Sequence, residues 1–314
     1  MRAVVLREFG PPERLVAEDV PAPQAAAGQV VVEVRIASVT FVETQVRGGR
    51  PPYASMKPVL PAVLGNGVGG FVAATGAGVD PALAGRRVVT TTGGAGGYAE
   101  RVAVDAGLPI VVPEALELTD AVALLADGRT ALLLMQSAAV QPGETVLVEA
   151  AAGGVGGLLV QLARNAGARV VAAAGGERKL ALARELGADA AVDYTRAGWP
   201  DEAGPVDVVF DGVGGEIGAA AFALIRPAGR FSAFGMASGT FAPVRPGDRA
   251  GVTVVRAPPP APERIRALSE RALAEAAGGR LTPTVGQTFA LTDAAGAHAA
   301  IESRATIGKT LLLA

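Results

Sequence analysis

The sequence predicts an α/β protein in which a doubly wound parallel sheet of the Rossmann kind is joined to a β-rich domain. Three observations carry this. Val146-Leu-Val-Glu-Ala150 reads as a buried strand and runs through Ala151-Ala-Gly-Gly-Val-Gly156 into the amphipathic run Leu158 to Ala166. From about Leu118 helix and strand patterns alternate, whereas the first 120 residues hold short strands split by Gly and Pro. At 314 residues, half of them hydrophobic, the chain exceeds most single cores.

The elements follow in order. Arg2 to Leu6 is a short strand, and Val30 to Ala37 alternates with Val32, Val34 and Ile36 on one face. Leu64 to Thr75 and Arg86 to Thr92 are further strands, and Pro21 to Pro23 and Pro51 to Pro61 are surface connections. A helix is expected over Asp120 to Ser137, then a strand at Thr145 to Ala150 and the glycine-turn helix, closed by Gly167. Arg169 to Ala174, Ala190 to Tyr194, Asp207 to Asp211 and Gly229 to Gly235 are strands, with helices at Lys179 to Leu186 and Ala220 to Leu224. Ala257 to Pro262 reads as a proline-rich hinge before a helix from Glu263 to Ala277. The tail, Leu281 to Ala314, returns to strand, helix and strand and is expected to rejoin the N-terminal domain. The domains are drawn at residues 1–120 with 260–314, and 121–259.

Composition excludes several classes. Net charge is −2 with scattered basic residues, which argues against a nucleic-acid surface. The apolar stretch Ala121 to Met135 is broken by Asp127 and Arg129 and is too short to span a bilayer. The first residues, Met1-Arg-Ala-Val-Val-Leu-Arg-Glu8, lack the long apolar region of a signal peptide, so a cytoplasmic protein is expected. There is no Cys and one His, His298, so structural zinc, a thiol nucleophile and a disulfide are excluded. No metal site is expected.

The strand, glycine turn and helix set unpaired N–H groups at a helix start, where a pyrophosphate binds. Ala151 stands where the G-x-G-x-x-G fingerprint begins; Gly153 and Gly156 hold its second and third glycines, with Gly154 and Val155 between. NAD-binding sheets place an acid roughly 20 residues further on. Here Ala174-Gly175-Gly176 is followed by Glu177, Arg178 and Lys179, and cations without the strand-end acid suit the 2′-phosphate of NADP(H).

With these residues in view, the chain resembles the zinc-free quinone oxidoreductase branch of the medium-chain dehydrogenase/reductase superfamily. The resemblance covers nearly the whole length. It is carried by Ala150-Ala-Ala-Gly-Gly-Val-Gly156, Gly187-Ala-Asp-Ala-Ala-Val-Asp-Tyr194, Asp207-Val-Val-Phe-Asp-Gly-Val-Gly214 and Ala297-His-Ala-Ala-Ile-Glu-Ser-Arg304. It implies a GroES-like catalytic domain beside a Rossmann NADP-binding domain, with the nicotinamide in the cleft between them and a homodimer built through Rossmann edge strands near Gly251 to Arg256. It further implies that Lys179 and Tyr194 meet the 2′-phosphate and that Thr130 lies near the nicotinamide ribose. Phe234, Gly235, Met236 and Ala237 form the strip beside the nicotinamide amide, while Phe41, Val42 and Glu43 touch the cofactor from the small domain. Val254 to Arg256 is a loop closing over the cofactor, and Lys309 reaches back to the phosphate region. Thr40, Gln45, Asn66 and Arg129 depart from the family pattern around the substrate pocket, so the substrate's identity does not carry over.

The expected activity is NADPH-dependent, metal-free hydride transfer to a quinone or an α,β-unsaturated carbonyl. A tailoring enoyl reductase, or a non-redox nucleotide-binding protein or lyase on the same scaffold, is the alternative. Tyr53 is the candidate proton donor or else a surface-loop tyrosine; Thr40 and Asn66 donate to a carbonyl oxygen or satisfy a turn. Arg129 pairs with a cofactor phosphate or substrate carboxylate, or is a helix-surface cation. His298 reads as structural, and Asp211 as the cap of the turn after its strand.

Overall fold

The computed structural model describes residues 1–256 and 260–314; residues 257–259, within the expected hinge, lie outside the described residues. The chain forms two compact units, Met1–Ala126 with Ser269–Ala277 and Pro283–Ala314, and Asp127–Leu268 with Gly278–Thr282.

The first unit opens with β1 (Arg2–Leu6), β2 (Leu15–Asp19), β3 (Gln29–Val39), α1 (Phe41–Arg47), β4 (Ala62–Val63), β5 (Gly67–Thr75), β6 (Arg87–Thr91), β7 (Arg101–Asp105) and β8 (Ile110–Val111). Strands β2, β1 and β4 form an antiparallel sheet. The long strand β3 is the spine of a larger one, pairing with β5 and β7. Its Val30, Val32 and Val34 are buried in a core with Leu6, Val68, Val88 and Tyr98. Helix α2 (Leu118–Ala138) follows, and its first turns pack on β5, where side chains at Gly69 would meet Leu118 and Val122. The units accordingly part inside this helix, at residues 126/127, rather than at its start, where the sequence pattern draws the boundary.

The second unit contains β9 (Thr145–Glu149), α3 (Gly154–Asn165), β10 (Arg169–Ala174), α4 (Glu177–Glu185), β11 (Ala190–Asp193), α5 (Trp199–Ala203), β12 (Val206–Asp211), α6 (Gly215–Ala223), β13 (Ile225–Ala233) and β14 (Thr253–Val255). The sheet order is β11-β10-β9-β12-β13-β14, and every pairing is parallel. This is a doubly wound sheet whose strand order reverses between β9 and β12. Strands β9 and β10 at its centre are near-continuous Val, Ala and Leu runs, buried almost throughout. One correction concerns Val254 to Arg256. Residues Thr253–Val255 form edge strand β14, with Val254 opposite Phe231, and only Arg256 lies beyond it. The β-branched run from Val252 to Val255 suits a strand better than a loop.

After α7 (Pro262–Ala277), the chain makes β15 (Val285–Ala290), α8 (Ala294–Glu302) and β16 (Lys309–Leu313). Strand β16 pairs antiparallel with β3, so the tail joins the first unit as its sequence pattern suggests. The sequence reading does not include α1, β2 or β7, which are short; β7 alternates, with Val102 and Val104 buried, but over only five residues.

Candidate cofactor and active site

The predicted cofactor residues of the second unit fall at one edge of its sheet. Ala151 follows β9, Gly176 follows β10, Tyr194 follows β11, and Phe234 follows β13. These are the carboxyl ends of parallel strands, where doubly wound sheets bind ligands.

At the first of them, Ala150 turns the chain with φ of 50°, in the left-handed region. Helix α3 then starts at Gly154, four residues earlier than the apolar run suggests, with Gly153 as a cap that has no side chain. Gly153, Gly154 and Val155 are partly exposed, and Gly153 offers the start of the helix no side-chain cap. A Cβ at Gly156 would collide with the Ala150 carbonyl, which explains the third glycine. Asp127 of α2, which the sequence reasoning passed over, brings a buried carboxylate against Gly154. Helix dipoles favour negative charge at this end.

At the second strand end, Gly176 has φ of 84° and open space where a side chain would stand. Arg178 is exposed and Lys179 half-buried in the first turn of α4. The half-buried Tyr194 ring lies 3.3 Å from a Cβ built at Gly175. Asp193 was also missed. Its Oδ2 accepts from Gly176 N (3.2 Å) and its Oδ1 from the amide and hydroxyl of Thr195, and the Thr195 hydroxyl holds its pKa below the ordinary range.

Residues Phe234–Ala237 are half-buried and pinned by their backbone. Phe234 N and Gly235 N donate to the Asp211 carbonyl at 2.8 and 3.2 Å, and Ala237 N to the Gly212 carbonyl. Asp211 caps this turn through Oδ1, which accepts from Val213 N (2.9 Å) and Gly214 N (2.7 Å). Thr130 and Arg129 are partly exposed on α2, where burial lowers the Arg129 pKa against the opposing pull of Asp127.

The first unit gathers a different set. Thr40 and Glu43 form a capping box on α1: Thr40 N donates to Glu43 Oε2 (2.7 Å), and Glu43 N donates to the Thr40 hydroxyl oxygen. The Thr40 hydroxyl in turn donates to Glu43 Oε2 (3.2 Å), which favours the turn-satisfying role over donation to a substrate. Glu43 Oε1 accepts from Asn66 N (2.9 Å), and Oε2 accepts from the Tyr98 hydroxyl (3.1 Å). The Tyr98 hydroxyl lies 3.0 Å from His298 Nε2. Burial pushes the Glu43 pKa up, opposed by its hydrogen bonds and by buried Lys309. Lys309 therefore lies among these groups, 4% exposed. Asn66 Oδ1 accepts from Gly94 N (2.8 Å), and its Nδ2 has no partner among the described residues. Phe41 and Val42 are half-buried. Tyr53 is 61% exposed, and its hydroxyl is not joined to Thr40 or Asn66.

A doubly wound sheet with a glycine-turn helix, joined in sequence to a mainly antiparallel β unit, defines the architecture of a dinucleotide-dependent dehydrogenase or reductase. The comparisons make this specific. The alcohol dehydrogenase GroES-like domain matches residues 26–114, and the zinc-binding dehydrogenase domain matches residues 154–270. A 2-haloacrylate reductase of Burkholderia is 33% identical over 99% of this chain and 98% of its own. A quinone oxidoreductase of Pseudomonas aeruginosa is 30% identical over 97% of each. The solved structure of Escherichia coli quinone oxidoreductase complexed with NADPH superposes with a TM-score of 0.91 at 28% identity, covering 100% of both chains. The chain belongs to the medium-chain dehydrogenase/reductase superfamily, in its quinone oxidoreductase branch.

The residues present do not fit the zinc that one domain description names. Catalytic zinc takes three protein ligands with His or Cys among them. The chain has no Cys, and its one His is fully buried against Tyr98.

Proposed function

We propose that this protein is a metal-free, NADPH-dependent reductase of quinones or α,β-unsaturated carbonyl compounds. One observation carries the reading. The partly exposed glycine turn before α3 and the open, cation-flanked Gly176 turn follow the ends of adjacent parallel strands, the places a pyrophosphate and a 2′-phosphate would take. The NADPH complex of the E. coli relative supports it.

Bound NADPH supplies a hydride to an electron-poor carbon of the acceptor. Gly153 to Gly156 cradle the pyrophosphate; Lys179, Arg178 and Tyr194 meet the 2′-phosphate. Phe234 to Ala237 set the nicotinamide's orientation, and Thr130 its ribose. The Asn66 Nδ2 amide is the donor suited to the acceptor's carbonyl oxygen, where negative charge develops. A quinone gives a stabilised hydroquinone anion that takes its proton from water. An enone gives an enolate, for which exposed Tyr53 is the candidate donor. The protein acts in the cytoplasm as a homodimer paired along β14, an edge strand hydrogen-bonded only to β13 among the described residues.

A second reading narrows the acceptor to an unsaturated carboxylate. The half-buried Arg129 guanidinium, next to Thr130, makes no hydrogen bond or salt bridge among the described residues. Haloacrylate, in the name of the Burkholderia relative, is such a carboxylate. Arg129→Leu is then expected to depress turnover of carboxylate acceptors at least tenfold more than that of neutral enones; equal loss removes this reading.

Steady NADPH consumption with a panel of quinones and enones tests the proposal. Turnover of several small acceptors supports it, and turnover of one dedicated substrate supports a tailoring enoyl reductase. Tight NADPH binding without turnover favours the non-redox alternative.

A further inference from the structure

The point where the sheet's strand order reverses holds an unusual pair. Glu149 ends β9 and Asp211 ends β12, in adjacent strands whose register sets Val148 against Phe210 one residue earlier. Both side chains are fully buried. Both Glu149 oxygens and Asp211 Oδ2 lack a donor from the rest of the protein among the described residues. The remaining oxygen, Asp211 Oδ1, is occupied by the amides of Val213 and Gly214.

Among the described residues no cationic side chain acts on Glu149 to balance two charges. The neighbour of Glu149 on β10 is Ala173, and from α6 it is Gly218 that approaches Asp211 Oδ2. Among the described residues, the one charged group that acts on Glu149 is Asp211. Two ionised carboxylates facing each other away from water repel strongly, and each lacks hydration, so one proton must stay between them. Asp211 Oδ1 already accepts two N–H groups, whereas neither Glu149 oxygen has a hydrogen-bond partner among the described residues, which places the proton on Glu149.

The pair joins the two backbone features on which the proposed cofactor site depends. Glu149 immediately precedes the turn from Ala150 to Gly156. The Asp211 side chain shapes the turn from Gly212 to Gly214, whose carbonyls, with that of Asp211, hold Phe234 to Ser238. A hydrogen bond between the two carboxyls therefore ties the phosphate turn to the strip beside the nicotinamide.

We propose that Glu149 is a positioning residue for the nucleotide: as a neutral carboxylic acid it donates a hydrogen bond to Asp211 Oδ2 and keeps the phosphate turn and the nicotinamide strip in register. This rests on the NADPH reading above. Burial first, and then Asp211, raise the Glu149 pKa well above the carboxylate range, against a smaller opposing pull from the Val213 amide. The native state keeps a proton that the unfolded chain releases above about pH 4.3, so this pair's contribution to stability falls as pH rises. At alkaline pH, loss of the proton places two negative charges at the join, and NADPH affinity falls with it.

The test uses Glu149→Gln, whose amide donates to Asp211 but cannot ionise, and Glu149→Leu, which cannot donate. Wild type is expected to show a KM for NADPH that rises at alkaline pH. In the Gln variant KM stays within twofold of wild type at pH 7 and loses the alkaline rise. In the Leu variant KM rises at least tenfold while kcat at saturating NADPH changes less than threefold. A Gln variant that keeps the alkaline rise, or a folded Leu variant with unchanged KM, overturns the proposal. Infrared difference spectra read the proton independently: a buried carboxylic-acid band at pH 7 must vanish in the Gln variant, and its absence from wild type also overturns the assignment. If wild type shows that band yet binds no NADPH, the proton pairing stands and the cofactor reading fails.

Discussion

Lys179 and Ala150 carry the residue-scale argument. A cation on a 2′-phosphate contributes a charge-assisted hydrogen bond of about 1.5–3 kcal/mol. Lys179→Ala is therefore expected to raise the KM for NADPH about 10- to 100-fold and that for NADH less than about threefold, measured by steady-state kinetics; equal effects contradict the 2′-phosphate assignment. Arg178, exposed beside it, is expected to share the load in part. At Ala150, φ of 50° puts an alanine where glycine is at ease, at a cost of about 1 kcal/mol. Ala150→Gly removes that strain but loosens the unfolded chain, so stability by denaturant unfolding is expected to stay level or rise by up to about 1 kcal/mol. A loss beyond 1 kcal/mol would show that its methyl is needed, for instance against Gly212, whose own Cβ would stand 3.2 Å away.

At the scale of elements, one polar chain ties α1, β5, α8 and β16 into a single frame. Glu43 of α1 accepts from Asn66 N and Tyr98, Tyr98 meets His298 of α8, and Lys309 of β16 adds its charge. Since the Tyr98 hydrogen goes to Glu43, His298 Nε2 carries a proton toward the Tyr98 oxygen, and Nδ1 is left unpaired. Burial drives the His298 pKa down to about 3, with Arg47 adding to the shift. The unfolded chain binds that proton near pH 6.5 and the native chain does not, so stability falls as pH drops through this window, by about 1.4 kcal/mol per unit. His298→Gln is expected to flatten the fall in unfolding free energy between pH 6.5 and 4.5 relative to wild type; an unchanged slope would place the titration elsewhere. This network also marks what the sequence conceals. The strands of the second unit were legible because Val, Ala and Leu runs alternate with glycine-closed helices, and β10 falls on its expected bounds, Arg169 to Ala174. Tyr98 follows a glycine-rich turn and lies in no periodic element, and only the folded chain brings it within reach of residue 298, 200 positions away. Glu149 did leave a signal, a lone charge in the apolar run from Val146 to Ala150. Asp127, two residues before Arg129, did not: its approach to Gly154 depends on how α2 lies against α3.

For the whole molecule, function follows from where a parallel sheet ends its strands. Helix α3 starts where β9 stops, α4 where β10 stops, and the Gly212 turn where β12 stops, so backbone donors and small residues collect along one edge. The cations Arg178 and Lys179 stand at the same end of the sheet, in the first turn of α4. The assembly is expected to run in solution at twice the 31.3 kDa chain mass by light scattering, with β14 edges paired. A monomer at micromolar concentration would remove that pairing without touching the cofactor site. The central claim is that a reduced nucleotide bearing a 2′-phosphate rests on the turn from Ala151 to Gly156. Calorimetric titration of the purified protein with NADPH and with NADH addresses it directly: one NADPH per chain, held at least tenfold more tightly than NADH, is the expected result, and retention of neither coenzyme, or a preference for NADH, would contradict it.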